Sequence, residues 1–238
     1  MILKNVSFKT PEENILYDEV LLKLAEQGAQ GEVLRLWESP MLFVVLGRIS
    51  KVTEDVREDN TKKDNVPVLR RFSGGGTVLQ GPGCLNYSLI LSKQKNPQIV
   101  DLRRSYQFVL EKVIAAMASL NISAEFKPVS DLALTDGYKK FSGNAQHRAK
   151  AHVLHHGTIL YDFDLDLVEK YLKIPKAVPE YRQGRAHKDF IANICCDSKK
   201  IKESLCNVFG AQEEAGVTAQ ERCCLDQFLE DKKEVVFL

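Results

Sequence analysis

Two stretches of this 238-residue chain gather the side chain and backbone groups that act on anions. The first is Arg70-Arg71-Phe72-Ser73-Gly74-Gly75-Gly76-Thr77-Val78. Three successive glycines leave backbone N–H groups unshielded, and two neighbouring guanidinium groups add a fixed positive charge. That combination suits a phosphate or a carboxylate. The second stretch is Lys139-Lys140-Phe141-Ser142-Gly143-Asn144-Ala145-Gln146, which leaves a turn at Asp136-Gly137, with His155-His156-Gly157-Thr158 beyond it. A lysine held there would aim an ammonium at a reacting carboxylate or phosphate. Each stretch also has a plain reading as a flexible turn beside solvated charge, and neither decides alone. The glycine run is neither a Walker loop nor a dinucleotide fingerprint, because no Gly-Lys-Ser/Thr and no strand-loop-helix context follows. His155 and His156 point to opposite faces of a strand, so at most one faces a site, and no third ligand stands at a zinc-like spacing.

Elements must hold these residues in place. Leu16, Val20, Leu21 and Leu24 predict an amphipathic helix that stops at Gly28. Strands are expected over Val33 to Trp37 and Leu42 to Leu46, broken at Ser39-Pro40. The charged run from Ser50 to Asn65 reads as a surface helix or loop that carries little core. Short apolar runs at Val68-Leu69, Thr77 to Leu79 and Leu85 to Leu91 predict strands flanking the glycine loop, so the arginines are pinned near it. Leu102, Tyr106, Val109, Leu110, Val113, Met117 and Leu120 form one apolar stripe behind Asp101, a candidate N-cap. A hairpin from Asp131 to Gly143 turns at Asp136-Gly137, Val153 to Tyr161 reads as a strand, and helices are expected near Asp166 to Leu172, Lys199 to Val208 and Ala219 to Leu229. Strands and helices mix without βα alternation, so the expected class is α+β with a mixed or antiparallel sheet core and flanking helices.

Composition narrows the function classes. Lys plus Arg is 33 against 32 for Asp plus Glu, and a net charge of +1 gives no general attraction to nucleic acid or anionic lipid. The longest apolar runs fall far below the roughly 20 residues that span a bilayer. The first residues lack a secretory or transit pattern, so cytoplasm is the expected location. Cys84, Cys195, Cys196, Cys206, Cys223 and Cys224 show none of the two-residue gaps of zinc ribbons, which suits buried thiols in a reducing compartment.

Taken in order, Arg70-Arg71-x-Ser-Gly-Gly-Gly-Thr-Val, Leu85-Asn86-Tyr87-Ser88, Lys140-x-Ser-Gly-Asn-Ala-Gln and His156-Gly-Thr-x-Leu resemble the ordered motifs of lipoate-protein ligase A enzymes. These belong to the biotin/lipoate ligase and octanoyltransferase superfamily. Leu46-Gly47-Arg48 and Arg185 through Phe190 to Asn193 fall in the expected order as well. The resemblance implies the class II biotin synthetase/lipoate ligase-like catalytic fold. It also implies ATP-dependent activation of lipoate to lipoyl-AMP and transfer of the lipoyl group to a carrier lysine. By similarity Arg70, Arg71, Ser73, Gly74, Gly75, Gly76, Thr77, Val78 and Leu79 hold the nucleotide, and Lys140 is the catalytic lysine that meets both lipoate and AMP. Asn86, Ser142, Gly143, Asn144, Ala145 and His156 line the acyl or phosphate pocket. Mg2+ would travel with the ATP phosphates, with no protein side chain assigned to it. The implied partners are lipoyl domains of 2-oxoacid dehydrogenase E2 subunits and glycine cleavage H protein, and the expected state is a monomer.

Two departures bear on the reaction. Where many ligases carry His-Asp-x-Gly-Asn after the glycine loop, this chain has Gln80-Gly81-Pro82-Gly83-Cys84. Related octanoyltransferases use a nucleophilic cysteine, but the matching neighbourhood here is Ala124-Glu125-Phe126. Cys84 is left as a thioester candidate, weighed against a buried structural thiol. The expected organisation is a catalytic domain over residues 1–195, then a short helical extension over 196–238 and no accessory domain. Three readings follow from it: a complete single-domain ligase, the catalytic half of a two-component ligase served by a separate accessory protein, or a transferase fed with preformed acyl-AMP. A carrier-to-carrier octanoyl or lipoyl transferase is the alternative activity.

Overall fold

The computed structural model describes residues 1–176 and 178–232. A short strand, β1 (Ile2–Asn5), precedes helix α1 (Pro11–Glu26). Thr10 caps α1 by accepting from the Glu13 N–H, Pro11 occupies its first turn, and the chain leaves it through Gly28 at φ +74°. Strands β2 (Val33–Trp37) and β3 (Phe43–Leu46) follow. The charged run then forms two short helices, α2 (Val52–Asp55) and α3 (Glu58–Lys63). As its composition suggests, this segment carries little core: only Val56 between the helices and Thr61 within the second are buried. Strands β4 (Val68–Arg70) and β5 (Val78–Gln80) flank the glycine loop, and β6 (Cys84–Ser92) is the long central strand. Helix α4 (Leu102–Ala118) starts at Asp101, whose carboxylate accepts from the Arg104 N–H at 2.8 Å. Beyond it come β7 (Ala124–Lys127), β8 (Asp131–Leu134), β9 (Lys140–Arg148) and β10 (His152–Leu160). The chain finishes with α5 (Asp166–Tyr171), α6 (His187–Phe190), α7 (Ser198–Phe209), β11 (Glu213–Glu214) and α8 (Ala219–Asp231).

Eight strands form one mixed sheet in the order β11-β1-β2-β6-β10-β9-β8-β7, and three form a small sheet in the order β4-β3-β5. The α+β class expected from the sequence is the one observed. Alternation sorts the central strands into two faces. Leu85, Tyr87, Leu89 and Leu91 of β6, with Val153 and Ile159 of β10, pack against Val109, Leu110, Val113 and Met117 of α4 and Ile201 and Leu205 of α7. Each such aliphatic side chain contributes about 1.5–3 kcal/mol by leaving water. Leu102, expected in the α4 stripe, is 51% exposed at the first position of the helix. The opposite face puts Ile90 and Leu154 against α1, together with Leu225 and Phe228 of α8. A third apolar cluster joins Val44, Leu46 and Leu79 of the small sheet to Phe163, Tyr171 and Phe190.

The two C-terminal helices expected from the sequence are present within the described residues; 233–238 lie outside them. Helix α8 is stitched to the start of the chain by buried charge. Lys4 Nζ lies 2.9 Å from a Glu221 oxygen, and Tyr17 donates its hydroxyl to Glu221 at 2.9 Å. The same Glu221 closes a capping box with Thr218 at the head of α8.

Candidate active site

Between the small sheet and the second face of the large one lies a cavity of about 1020 Å³. One wall is the glycine loop. Adjacent residues at the end of β4 point apart, and this separates the two arginines. Arg71 turns inward and is buried; its Nη2 donates to the carbonyls of Gly74 (2.7 Å) and Gly76 (2.8 Å), and its Nε also donates to Gly74. Burial lowers its pKa to about 10, so it stays charged near neutral pH. The guanidinium thus braces the loop through neutral carbonyls and leaves an uncompensated positive charge beside the loop N–H groups, which favours a bound anion. Arg70, expected from the sequence to hold the nucleotide, lies apart from Arg71. It does not border the cavity; its Nη1 donates to the carbonyls of Gly47 (2.9 Å), Arg48 (3.2 Å) and Ser50 (2.7 Å) and holds the loop before α2. Gly74 is likewise outside the lining, with its carbonyl turned to Arg71.

Close packing fixes the loop from behind. A Cβ on Gly47 would fall 1.9 Å from the Gly75 carbonyl oxygen, so the backbones touch there and only glycine fits. Ser73, Gly75, Gly76, Thr77, Val78 and Leu79 all border the cavity. Thr77 donates its hydroxyl to Asp55 at 2.5 Å, which ties the loop to the end of α2.

Lys140 stands on the facing wall. Pairing between β8 and β9 shifts by one residue between Leu132 and Ala133, a bulge that puts two β9 residues opposite one partner. Lys140 and Gly143 therefore share a side, and a Cβ on Gly143 would lie 3.0 Å from Lys140 Nζ. The ammonium rests 2.8 Å from Asp131 Oδ1, and Tyr181 donates to Asp131 Oδ2 at 2.7 Å. Sequence reading missed both partners. A hairpin centred on Asp136-Gly137 places Asp131 within reach of Lys140, so that signal was available; Tyr181, 50 residues from Asp131, left none.

The remaining predicted residues also border this cavity: Asn86, Ser142, Asn144, Ala145 and His156. Their polar atoms are largely engaged. Asn86 and Gln80 exchange amide hydrogen bonds at 2.9 Å, so Gln80, where many ligases have histidine, serves as a neutral buried partner. Asn144 accepts from Tyr87 and donates to Ser130 and Ser142, over Gly157, where a Cβ would strike the Asn144 oxygen. His156 Nε2 lies 2.6 Å from Ser73 Oγ; burial, with Arg71 and His155 nearby, holds its ring far below the usual histidine range and therefore neutral. His155 faces the other way, against Tyr87 and Tyr106, as strand alternation predicts. Apolar walls come from Ile15, Trp37, Val45 and Leu154 on one flank and Phe163, Leu172, Phe190 and Ile191 on the other. Cys84 borders the cavity but is buried, and burial pushes its thiol well above the ordinary range, the reverse of what a nucleophilic thiolate needs.

A charged loop, a facing lysine and apolar flanks in one cavity can hold the polar head and the chain of an activated acid. The lipoyl protein ligase A/B catalytic domain matches residues 10–208. The chain belongs to this family. Its similarity to the probable lipoate-protein ligase A of Mycoplasma pneumoniae is 34% identity over 166 residues, covering 70% of this chain and 47% of that protein. Lipoate-protein ligase 1 of Staphylococcus aureus is 29% identical over 198 residues, covering 81% of this chain and 56% of that one. The chain spans about half the length of these curated relatives. A solved lipoate-protein ligase A bound with ATP has a TM-score of 0.82 at 22% identity, covering 96% of this chain and 94% of that one. The bipartite ligase of Thermoplasma acidophilum has a TM-score of 0.81 at 22% identity, covering 96% and 91%. At that identity the likeness establishes the lipoate ligase-like fold of this family member.

Proposed function

We propose that the chain activates lipoate with ATP to lipoyl-AMP and transfers the lipoyl group to a lysine of lipoyl carrier domains, those of 2-oxoacid dehydrogenase E2 subunits and glycine cleavage H protein. The observation that carries this reading is the convergence of Lys140 and the Arg71-braced loop on one cavity with apolar flanks, in a chain of the ligase family. In the first half-reaction a lipoate carboxylate oxygen bonds to the α-phosphorus of ATP and pyrophosphate leaves. The N–H groups of Gly75 to Val78, backed by the Arg71 charge, would hold the phosphate, and the Lys140 ammonium would offset charge gathering between carboxylate and phosphate. In the second, the carrier amine bonds to the acyl carbon, loses a proton and expels AMP, with Lys140 again beside the developing oxyanion.

Mg2+ would enter as a companion of the ATP phosphates, which supply oxygen ligands that are independent of the protein. Among the described residues no helix is long and apolar enough to cross a membrane. A cytoplasmic monomer suits substrates of this kind.

The test is direct. Incubation with lipoate, MgATP and an unmodified lipoyl domain should add the mass of one lipoyl group, and Lys140→Ala should abolish the addition. Supplying lipoyl-AMP in place of lipoate and ATP separates the half-reactions: transfer from lipoyl-AMP alone points to the catalytic half of a two-component ligase, an organisation supported by 26% identity to lipoate-protein ligase A subunit 1 of Thermoplasma acidophilum. No modification under either condition would refute the proposal.

A further inference from the structure

Lys140 does not hang loose in the cavity. Asp131, 8% exposed, presents one carboxylate oxygen to the Lys140 ammonium and the other to the Tyr181 hydroxyl. The two arms of one hairpin, β8 and β9, and the single helical turn Glu180–Arg182, whose Tyr181 is 50 residues from Asp131, therefore meet on one carboxylate. Tyr181 is itself held. Its ring packs on Phe190 at 5.1 Å, and Arg185 donates to its carbonyl at 2.8 Å and to Gly137 of the hairpin turn at 3.2 Å. Lys127 reaches over from β7 with its Nζ 5.9 Å from the Tyr181 ring. Of the other carboxylates that line the cavity, Asp18 is engaged by Arg35 and Ser88 and Asp55 by Thr77, while Glu180 is exposed.

A lysine has four freely turning stem bonds and a compact ammonium that any carboxylate or phosphate can draw aside. Productive geometry needs it confined, since misplacement by about 1 Å costs on the order of a hundredfold in rate. Resting on the ligase reading above, we propose that Asp131 is a positioning residue for Lys140 and that Tyr181 fixes Asp131 in turn. The carboxylate holds the ammonium over Gly143, where no side chain can displace it, and aims it across the cavity toward the glycine loop. Through Tyr181, the segment 180–190 at the cavity edge is linked to the reacting lysine, so disturbance of that segment reaches Lys140 without touching substrate.

Two measurements on the full chain test this. The first needs no substrate: acetic anhydride labelling at fixed pH, read by peptide mass spectrometry, with the exposed Lys62 as internal reference. Asp131→Asn should raise labelling of Lys140 relative to Lys62 several-fold, and Tyr181→Phe should raise it less, as the amine is freed from its carboxylate partner and becomes more accessible. The second is steady-state acyl transfer. Asp131→Asn should lower kcat by about a hundredfold while KM for ATP stays within about twofold, because the Arg71-braced loop is intact. The double variant should behave as Asp131→Asn does, since Tyr181 acts only through that carboxylate. Unchanged Lys140 labelling in both variants, or a wild-type kcat in Asp131→Asn, would overturn the proposal. Should Asp131→Asn fail to fold, Tyr181→Phe carries both readouts. Because labelling requires no turnover, absence of acyl transfer by the wild type would count against the ligase reading and leave the ion pair still tested.

Discussion

Replacing His155 by phenylalanine should make the protein more resistant to acid. The His155 ring is fully buried, stacked 6.2 Å from Tyr87 and edge-on 5.4 Å from Tyr106, and its Nε2 has no hydrogen-bond partner. Burial pushes its pKa from 6.5 down to about 3. Between those values the unfolded chain takes up a proton that the folded one refuses. The contribution is therefore whole above about pH 6.5 and is lost as pH falls toward about pH 3, at about 1.4 kcal/mol per pH unit. At about pH 5 this one ring costs about 2 kcal/mol relative to about pH 8. His156, His147 and His187, all lowered by burial, add to the acid loss in the same direction, so the wild-type slope alone does not isolate His155. The variant does. Phenylalanine keeps the aromatic stack, gives up the contact of His155 Nδ1 with the Gln146 amide at 2.9 Å, and binds no proton. Urea unfolding at several pH values should show the variant about 1 kcal/mol less stable near pH 8, for the lost hydrogen bond, yet losing about 2 kcal/mol less than wild type on going to about pH 5. Parallel stability curves for the two proteins would refute the assignment of a buried neutral ring.

Two further predictions concern the glycine loop. Arg71→Lys keeps a charge but cannot serve the Gly74 and Gly76 carbonyls together, and loss of charged hydrogen bonds worth about 1.5–3 kcal/mol should raise KM for ATP about tenfold or more, measured by pyrophosphate release. Gly47→Ala drives a methyl group to within 1.9 Å of the Gly75 oxygen, so the loop must retreat; kcat/KM should fall about a hundredfold with only a small drop in Tm, and unchanged kinetics would show that the loop position is immaterial.

Much of this architecture was legible where pattern and length reinforce each other. Strand β2 matched its expected limits, and β6, β10 and α4 were recognised because long alternating or 3.6-residue patterns leave little choice. Strands β1 and β7 escaped because four residues of mixed exposure show no alternation, and α6 because a four-residue helix has no stripe to read. The charged run before β4 was read as surface elements with little core, and within it only Val56 and Thr61 are buried, Val56 by bridging Leu172 and joining the third apolar cluster. At the site, the glycine loop and Lys140 were read from residue types and order. The separate fates of Arg70 and Arg71 depend on which of two neighbours faces the loop, and Tyr181 reaches Lys140 only through tertiary folding.

The stitching of Lys4 to Glu221 bears on how the molecule is made. These partners stand 217 residues apart, and Tyr17 finds the same carboxylate across 204 residues. While the chain emerges from the ribosome, β1 and α1 appear first, yet Lys4 has no buried anion to meet until α8 has been synthesised. The face of α1 that α8 covers, with Leu225 and Phe228, stays wet until then. Closing so long a loop is slow. During translation, then, β1 can pair with β2 and α1 can settle on Ile90 and Leu154 of the large sheet, while the other face of α1 still waits for the last described helix.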